Sequence, residues 1–422
     1  MYKRYERYKD SGIEWIGEIP EHWGIGKLKF VLSLKSGTSI SKDEYVDDGL
    51  YPIYGSNGII GKTNKYNINK RSIIIGRVGA SGELQISDRG WVTDNALIVN
   101  IIDSKIDFIY LFYWLSSLNL SDYASKTAQP LITGSTIKKL TLLNLPLVEQ
   151  KAIANYLDHK TSEIDSLIAE KERLIEKLEE YKQSIITEAV TKGLDPNVKM
   201  KDSGIEWIGE IPEHWEISKV KYHSNINQKT LTEKTPDDYE IKYLDISNVD
   251  SNGKILKIEP MAFKDAPSRA RRIVSDGDTI VSTVRTYLKA ITCFDNIESN
   301  LVCSTGFAVL SPKESIEPKF LSYLMKSSLY VEEIVSRSVG VSYPAITASE
   351  IADLNLIVPP INEQKAIIDY IDDIVKNVEN IIVDINCQIQ NFKQYRQSLI
   401  YEAVTGKIDV REYEPERSEQ LA

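Results

Sequence analysis

Two stretches of the chain carry apolar residues at heptad spacing. In the first, Leu157, Ile164, Leu178 and Ile185 share one heptad position, with Lys171 interrupting, and Leu167, Leu174 and Tyr181 share a second. In the other, Ile371, Val378, Ile385, Phe392 and Leu399 hold the first position and Ile381, Gln388 and Tyr395 the second. Such seams predict coiled-coil helices. The first helix should begin after Pro146, with Glu149 and Gln150 in its opening turn, and run to about Thr191. Some 43 residues of helix would span about 65 Å. Gly193-Leu-Asp-Pro196 should cap it. Glu170, Glu172, Arg173 and Glu176 then form a solvated outer face.

Elsewhere the pattern changes to short apolar runs between turn formers. Ser72–Gly76, Ala96–Asn100, Lys242–Val249 and Gly277–Val284 read as strands. Tyr51-Pro-Ile-Tyr-Gly-Ser-Asn-Gly58 alternates apolar residues with turn formers. Phe108–Leu118 and Pro318–Lys326 read as helices. Two mixed α/β regions therefore alternate with two long helices.

This alternation is an internal repeat. Lys9-Asp-Ser-Gly-Ile-Glu-Trp-Ile-Gly-Glu-Ile-Pro-Glu-His-Trp23 returns unchanged at Lys201–Trp215, 192 residues later. Glu149-Gln-Lys-Ala-Ile153 returns at Glu363–Ile367, and Tyr181–Thr191 returns with few changes at Tyr395–Thr405, both offset by 214. The 22 extra residues of the second copy lie between Trp215 and Glu363. Each copy has a fixed opening motif, a divergent middle and a fixed closing helix. The domains expected are residues 1–145, a first mixed domain; 146–195, a first long helix; 196–358, a second mixed domain; and 359–422, a second long helix with a charged, disordered tail. Two helices of equal length, each with one apolar stripe, should pack on each other. An internal pseudo-twofold would make them antiparallel and hold the divergent domains at opposite ends. The fold class expected is α+β.

Composition narrows the function. At 422 residues the chain exceeds one core, and 42% hydrophobic with 27% charged residues is ordinary for a globular protein. No apolar run reaches membrane-spanning length, and Met1-Tyr-Lys-Arg-Tyr-Glu-Arg-Tyr8 lacks the apolar core of a secretory signal. Cys293, Cys303 and Cys387 form no CxxC pair, which suits a reducing cytoplasm. The net charge of −10 is unevenly spread. Residues 24–144 carry 14 basic against 10 acidic side chains, and residues 216–357 carry 17 against 19. The acidity is concentrated in the helical segments, so charge neither signals nor excludes a nucleic-acid partner.

Catalytic signatures are missing. Val358-Pro-Pro-Ile361 lacks the polar lead and the aromatic of an amino-methyltransferase motif. Pro236-Asp-Asp-Tyr-Glu-Ile-Lys242 mimics a metal-nuclease signature, but its Asp237 and Glu240 are only three residues apart. His22 and His214 have no second ligand at metal spacing and read as packing histidines beside tryptophan. Gly76-Arg-Val-Gly-Ala-Ser-Gly82 is neither a P-loop nor a dinucleotide loop. It is either a connecting turn or a loop presenting Arg77 and Ser81 to a polyanion. Thr127-Ala-Gln-Pro-Leu-Ile-Thr-Gly134 has a counterpart in Ser338–Thr347, and each is a candidate contact loop. Candidate DNA contacts are Tyr54, Asn57, Lys62, Arg77, Ser81 and Gln129 in the first middle. In the second they are Arg269, Arg271, Arg272, Arg285, Tyr287 and Tyr343, arginine being the best side chain for phosphate and guanine. No metal site is expected.

The opening motifs ending Ile-Pro-Glu-His-Trp, the Pro-x-x-Glu-Gln closings (Pro146–Gln150, Pro360–Gln364) and helices ending Gln-Ser-x-Ile-x-Glu-Ala-Val-Thr resemble the specificity subunit of bacterial type I restriction-modification systems. The resemblance covers nearly the whole chain. It implies two target-recognition domains that each read half of a split, asymmetric DNA site across antiparallel spacer helices. It also implies no catalytic centre and no cofactor in this chain. The partners implied are double-stranded DNA, two methyltransferase subunits binding S-adenosylmethionine, and restriction-translocation subunits using ATP and magnesium. Two rival readings are a coiled-coil scaffold with two protein-binding domains and an enzyme with an unrecognised site.

Overall fold

A computed structural model describes residues 3–297 and 299–414. The chain divides into two compact units. Unit 1 comprises residues 1–171 and 386–422, and unit 2 comprises residues 172–385. Each long helix, Leu147–Lys192 and Ile361–Val404, contributes half its length to each unit.

Unit 1 opens with a hairpin, Tyr8–Asp10 against Glu18–Pro20. Asp10 Oδ1 accepts Gly12 N–H in the turn, which fixes the short crossing. Ile16, Ile19 and Trp23 of the motif are fully buried. A four-stranded antiparallel sheet follows, in the order Leu32–Ser36, Ala96–Ile101, Ser72–Gly76, Leu84–Ser87. Every residue of Ser72–Gly76 is buried, as a continuous apolar run in a central strand requires. Helix Phe108–Ser117 lies nearby, its first N–H groups capped by Asp107. A second sheet, Gly58–Thr63, Tyr51–Gly55 and Trp91–Val92, completes the middle.

Unit 2 repeats the plan. Its hairpin is Met200–Asp202 with Glu210–Pro212. Its four-stranded sheet, Ser224–Ile226, Phe307–Pro312, Thr279–Ser282 and Ile291–Cys293, has the same strand order. Helix Pro318–Lys326 takes the place of Phe108–Ser117, with proline at its start where no N–H is needed. The second sheet differs, having four strands: Glu259–Ala262, Glu240–Leu244, Leu301–Ser304 and Ala270–Ile273. The expected strand Lys242–Val249 stops at Leu244, because Asp245 caps a tight turn over Ile246–Asn248.

The repeated motifs form one clasp in each unit. Trp23 Nε1 donates to Glu149 Oε2 at 2.9 Å, and His22 Nε2 lies 2.8 Å from Oε1. In unit 2, Trp215 donates to Glu363 at 2.9 Å and His214 lies 2.7 Å from the same carboxylate. Gln150 donates to Leu145 O and Lys105 O and accepts Asp107 N–H. Gln364 does the same with Pro359 O, Ser315 O and Glu317 N–H. The Glu-Gln pair thus joins the start of each long helix to the opening motif and to the helix of the middle. Both histidines are exposed and lie within hydrogen-bond distance of the helix-start glutamates beside the tryptophans.

The helix seam is real, but one of its positions differs from the reading. Leu157, Ile164, Ile371, Val378, Ile385 and Leu399 are buried, and Leu178, Ile185 and Phe392 are half-buried. The second position is Thr161, Ile168, Ile175 and Lys182, four residues beyond the first, and not Leu167, Leu174 and Tyr181. The latter three are 42%, 43% and 52% exposed. Thr161 and Lys182 hid this register, since both are polar yet buried, the Thr161 hydroxyl on Tyr113 OH and the Lys182 ammonium paired with Glu179. In unit 1 the helices run antiparallel: Tyr413 meets His159 and Arg396 meets Asp165, so one chain descends as the other rises. In unit 2 the end of the first helix meets the start of the second, Gly193 lying against Trp215, which donates to Glu363, again antiparallel.

The described part of the expected tail is ordered. Val410 is buried, and the Tyr413 ring lies edge-on to Tyr156 at 4.8 Å. Residues 415–422, on which the rest of that expectation falls, lie outside the described residues.

Candidate nucleic-acid interface

Each unit brings two loops together at one end of its four-stranded sheet. In unit 1 the loop Gly76–Gly82 meets Gln129-Pro-Leu131 through a Val78–Leu131 bridge. Ser81 is buried, and its hydroxyl donates to Pro130 O at 2.6 Å and to Arg77 O at 2.9 Å. It is a strut between the loops rather than a free donor. The turn Ser56-Asn57 comes alongside: a Cβ on Gly76 would lie 2.4 Å from Ser56 O, so only glycine fits there. Asn57, Lys62 and Gln129 are exposed, and Arg77 is half-buried with Nη1 donating to Ser36 Oγ at 3.3 Å. Tyr54 points into the core with Ile68, Ile74, Val92, Ala96 and Ile98. It is not a surface residue, because both sides of the strand are covered there: Ile53 and Tyr54 are buried alike, with an irregular register between them.

In unit 2, residues 283–289 meet Tyr343-Pro-Ala345 through a Val284–Ala345 bridge. Arg285, Tyr287 and Tyr343 are exposed, and the Arg285 guanidinium lies 4.5 Å over the Tyr343 ring. The turn 304–306 ties this loop to Arg269. Thr283 N–H and hydroxyl both donate to Gly306 O at 2.8 Å, and Thr305 N–H donates to Arg269 O at 2.8 Å.

The arginine run 269–272 does not form one patch. Arg269 is bonded to Asp245 at 2.7 and 2.9 Å and to Tyr243 OH. Although burial opposes it, hydrogen bonds from Tyr243 and Arg269 hold the Asp245 carboxyl below its usual pKa. Arg271 stacks on Phe263 at 4.7 Å, and Arg272 donates to Thr230 Oγ1 at 3.2 Å. Successive strand residues face opposite ways, and a bulge between Ala270 and Arg272 separates them further. The sequence reading missed Arg89, which lies 3.9 Å over Tyr66 and 4.6 Å over Tyr51. Nothing in the local sequence marks that cluster, since its three members come from separate strands and turns. Among the described residues no group of three His, Cys, Asp or Glu is placed to hold a metal ion, and no helix is long and apolar enough to cross a membrane.

Two units of one plan, each offering a loop pair, are the architecture of a DNA-reading subunit with two recognition domains. The family model for the type I restriction modification DNA specificity domain matches residues 20–180 and 212–391, and the chain belongs to that family. Its role is sequence-specific DNA recognition, not catalysis. It is 25% identical to the MjaVIII specificity subunit of Methanocaldococcus jannaschii over 93% of this chain and 94% of that one. It is 26% identical to the putative MjaX specificity subunit of the same organism over 97% and 99%. It is also similar in fold to a solved chain from work on complex assembly and conformational transition of the type I R-M system. That match has a TM-score of 0.63 at 13% identity, covering 92% of this chain and 98% of that one.

Proposed function

We propose that this subunit reads a bipartite, asymmetric DNA site, one half with each loop pair, and directs partner methyltransferase and restriction subunits to it. The observation that carries this reading is the pair of equivalent loop clusters, built on the same strand order but carrying different side chains. Shared scaffolds with different tips are what reading two different half-sites requires. Asn57, Lys62, Arg77 and Gln129 serve one half, and Arg285, Tyr287 and Tyr343 the other. Arg269 and Arg272, already engaged within the chain, would position phosphates. The long helices set the gap between half-sites, and tethering makes the second contact intramolecular.

The exposed heptad stripes Leu167, Leu174 and Tyr181, and Ile381 with Tyr395, offer apolar surface to partner subunits. S-adenosylmethionine, ATP and magnesium belong in this reading to those partners. The test is genome-wide mapping of modified bases in cells with this chain and its methyltransferase, and in cells lacking only this chain. A split, asymmetric motif that vanishes in the deletion is the expected result. A palindromic motif, or a methylome unchanged by the deletion, contradicts it. Inserting one heptad into both long helices should widen the gap and leave both half-sites intact.

A further inference from the structure

The two loop clusters share one backbone plan and can be aligned bond by bond. Arg77 O accepts Ile132 N–H at 3.0 Å, as Thr283 O accepts Ile346 N–H at 2.9 Å. Arg77 N–H donates to Asn95 O and Thr283 N–H to Gly306 O, both at 2.8 Å. Gly79 N–H then reaches Pro130 O at 3.3 Å, and Arg285 N–H reaches Pro344 O at 2.7 Å. Thr133 and Thr347, three residues after each proline, both cap the next helix. Arg285 in unit 2 therefore stands where unit 1 has Gly79.

The backbone is left-handed at both, with φ of +79° at Gly79 and +52° at Arg285. Glycine adopts this conformation freely, whereas a side chain with a Cβ is strained in it. Such strain persists where surrounding bonds impose it, and it gathers at binding sites. Lys289, four residues on, is left-handed as well, at φ +56°, so strained residues bracket the exposed turn at Tyr287. Neighbouring arginines are held by carboxylates, Arg269 by Asp245 and Arg337 by Glu333. No carboxylate among the described residues forms an ion pair with Arg285. Its guanidinium instead lies over the ring of Tyr343, itself 61% exposed. A contact over the ring face uses none of the N–H donors in a hydrogen bond to a carboxylate and leaves them able to bond a partner.

We infer that Arg285, braced by Tyr343, is a specificity-determining residue that reads a guanine in the half-site served by unit 2. It donates two N–H bonds to guanine O6 and N7. This rests on the DNA-recognition reading above. Unit 1, with glycine at the corresponding position, reads its half-site without such an element.

The test is selection from a randomised duplex library by the full chain in complex with its partner subunits. Wild type should select a two-part motif with a guanine in one half. Arg285→Gly should lower the preference for that guanine by about tenfold or more and leave the other half-site unchanged. The glycine variant relieves the left-handed strain, so its thermal midpoint should equal or exceed that of wild type. Arg285→Lys should also lose the guanine preference, since it keeps the charge but not the fork. Tyr343→Ala should weaken the same position. A motif unaltered by Arg285→Gly overturns the proposal and leaves the recognition reading standing. Uniform weakening at every position, with the salt slope reduced by about one, marks a phosphate contact and also overturns it. If wild type itself selects no motif, the recognition reading fails and the proposal with it.

Discussion

Unit 2 is one uninterrupted stretch of chain, and unit 1 is assembled from two. The difference is clearest where a long helix ends against an opening motif. In unit 2, Gly193 ends the first long helix beside Trp215 and Pro212, and the chain runs on directly into the hairpin. In unit 1, Gly406 ends the second long helix beside Trp23 and Pro20, and no peptide joins them locally. The junction is bonded instead. Tyr8 OH donates to Gly406 O at 3.0 Å, Lys407 Nζ to Glu18 O at 2.5 Å, and Asp409 N–H to Lys3 O at 2.8 Å. The same fold is thus closed covalently in one unit and by contacts in the other. Unit 1 can be loosened at sites that have no counterpart in unit 2.

The shared clasp offers the largest effect. Trp23 and Trp215 are both fully buried and bonded to the helix-start glutamates. Replacing either by alanine removes a large core side chain and one of the carboxylate's two partners, at a cost of about 3–5 kcal/mol. Hydrogen exchange read by peptide should rise in unit 1 for Trp23→Ala and in unit 2 for Trp215→Ala. Equal rises in both units from either variant would mean that they do not open separately.

The helix-end glycines sharpen the comparison. Both are left-handed, at φ +77° for Gly193 and +73° for Gly406. A Cβ at Gly193 would meet Trp215 at 3.1 Å, but one at Gly406 would meet Pro20 at 2.5 Å and Trp23 at 3.0 Å. Backbone strain is common to both, and the additional clash belongs to Gly406. Gly406→Ala should therefore destabilise by about 1–3 kcal/mol more than Gly193→Ala. Chemical denaturation of the two variants measures the difference, and equal losses would contradict the closer fit in unit 1.

These contrasts mark what could be read from the chain alone. The repeat, the long helices, the clasp motifs and the strands over residues 72–76 and 96–100 rest on periodicity and exact recurrence, which are local properties. The seam's second position was misread because Thr161 and Lys182 are polar in name, while Leu167, Leu174 and Tyr181 are apolar and exposed. The candidate contacts Tyr54 and Ser81 proved to be core and strut, since inward or outward facing depends on strand pairing. Arg269 and Arg271 were both named as candidate contacts because sequence spacing does not reveal that Asp245 and Phe263 already hold them. The correspondence of Arg285 with Gly79 is invisible in sequence, since the loops share hydrogen bonds and not residues.

Tyr413 tests the non-covalent closure directly. Its ring packs on Tyr156, and its hydroxyl lies 2.7 Å from His159 Nδ1. Tyr413→Ala should cost about 1–2 kcal/mol. The loss should appear as faster exchange over residues 147–165 with unit 2 unchanged. A matching change over residues 175–192 would mean that this contact supports the whole chain.

The smallest effect is one of pH. The Arg411 guanidinium bonds both Asp409 carboxylate oxygens, at 2.7 and 2.9 Å, and holds that carboxyl below its ordinary pKa. An aspartate in an unfolded chain titrates near pH 3.9. A folded pKa below that value means that the contribution is complete above about pH 4 and is lost as pH falls through the folded value. Acid below about pH 4 should therefore loosen the bonded junction of unit 1 ahead of the covalent junction of unit 2. Asp409→Asn removes the charge and should flatten the acid response of exchange over residues 3–10 while slightly raising it at neutral pH. An acid response that persists in the Asn variant would move its origin away from this pair, to carboxylates that both units share.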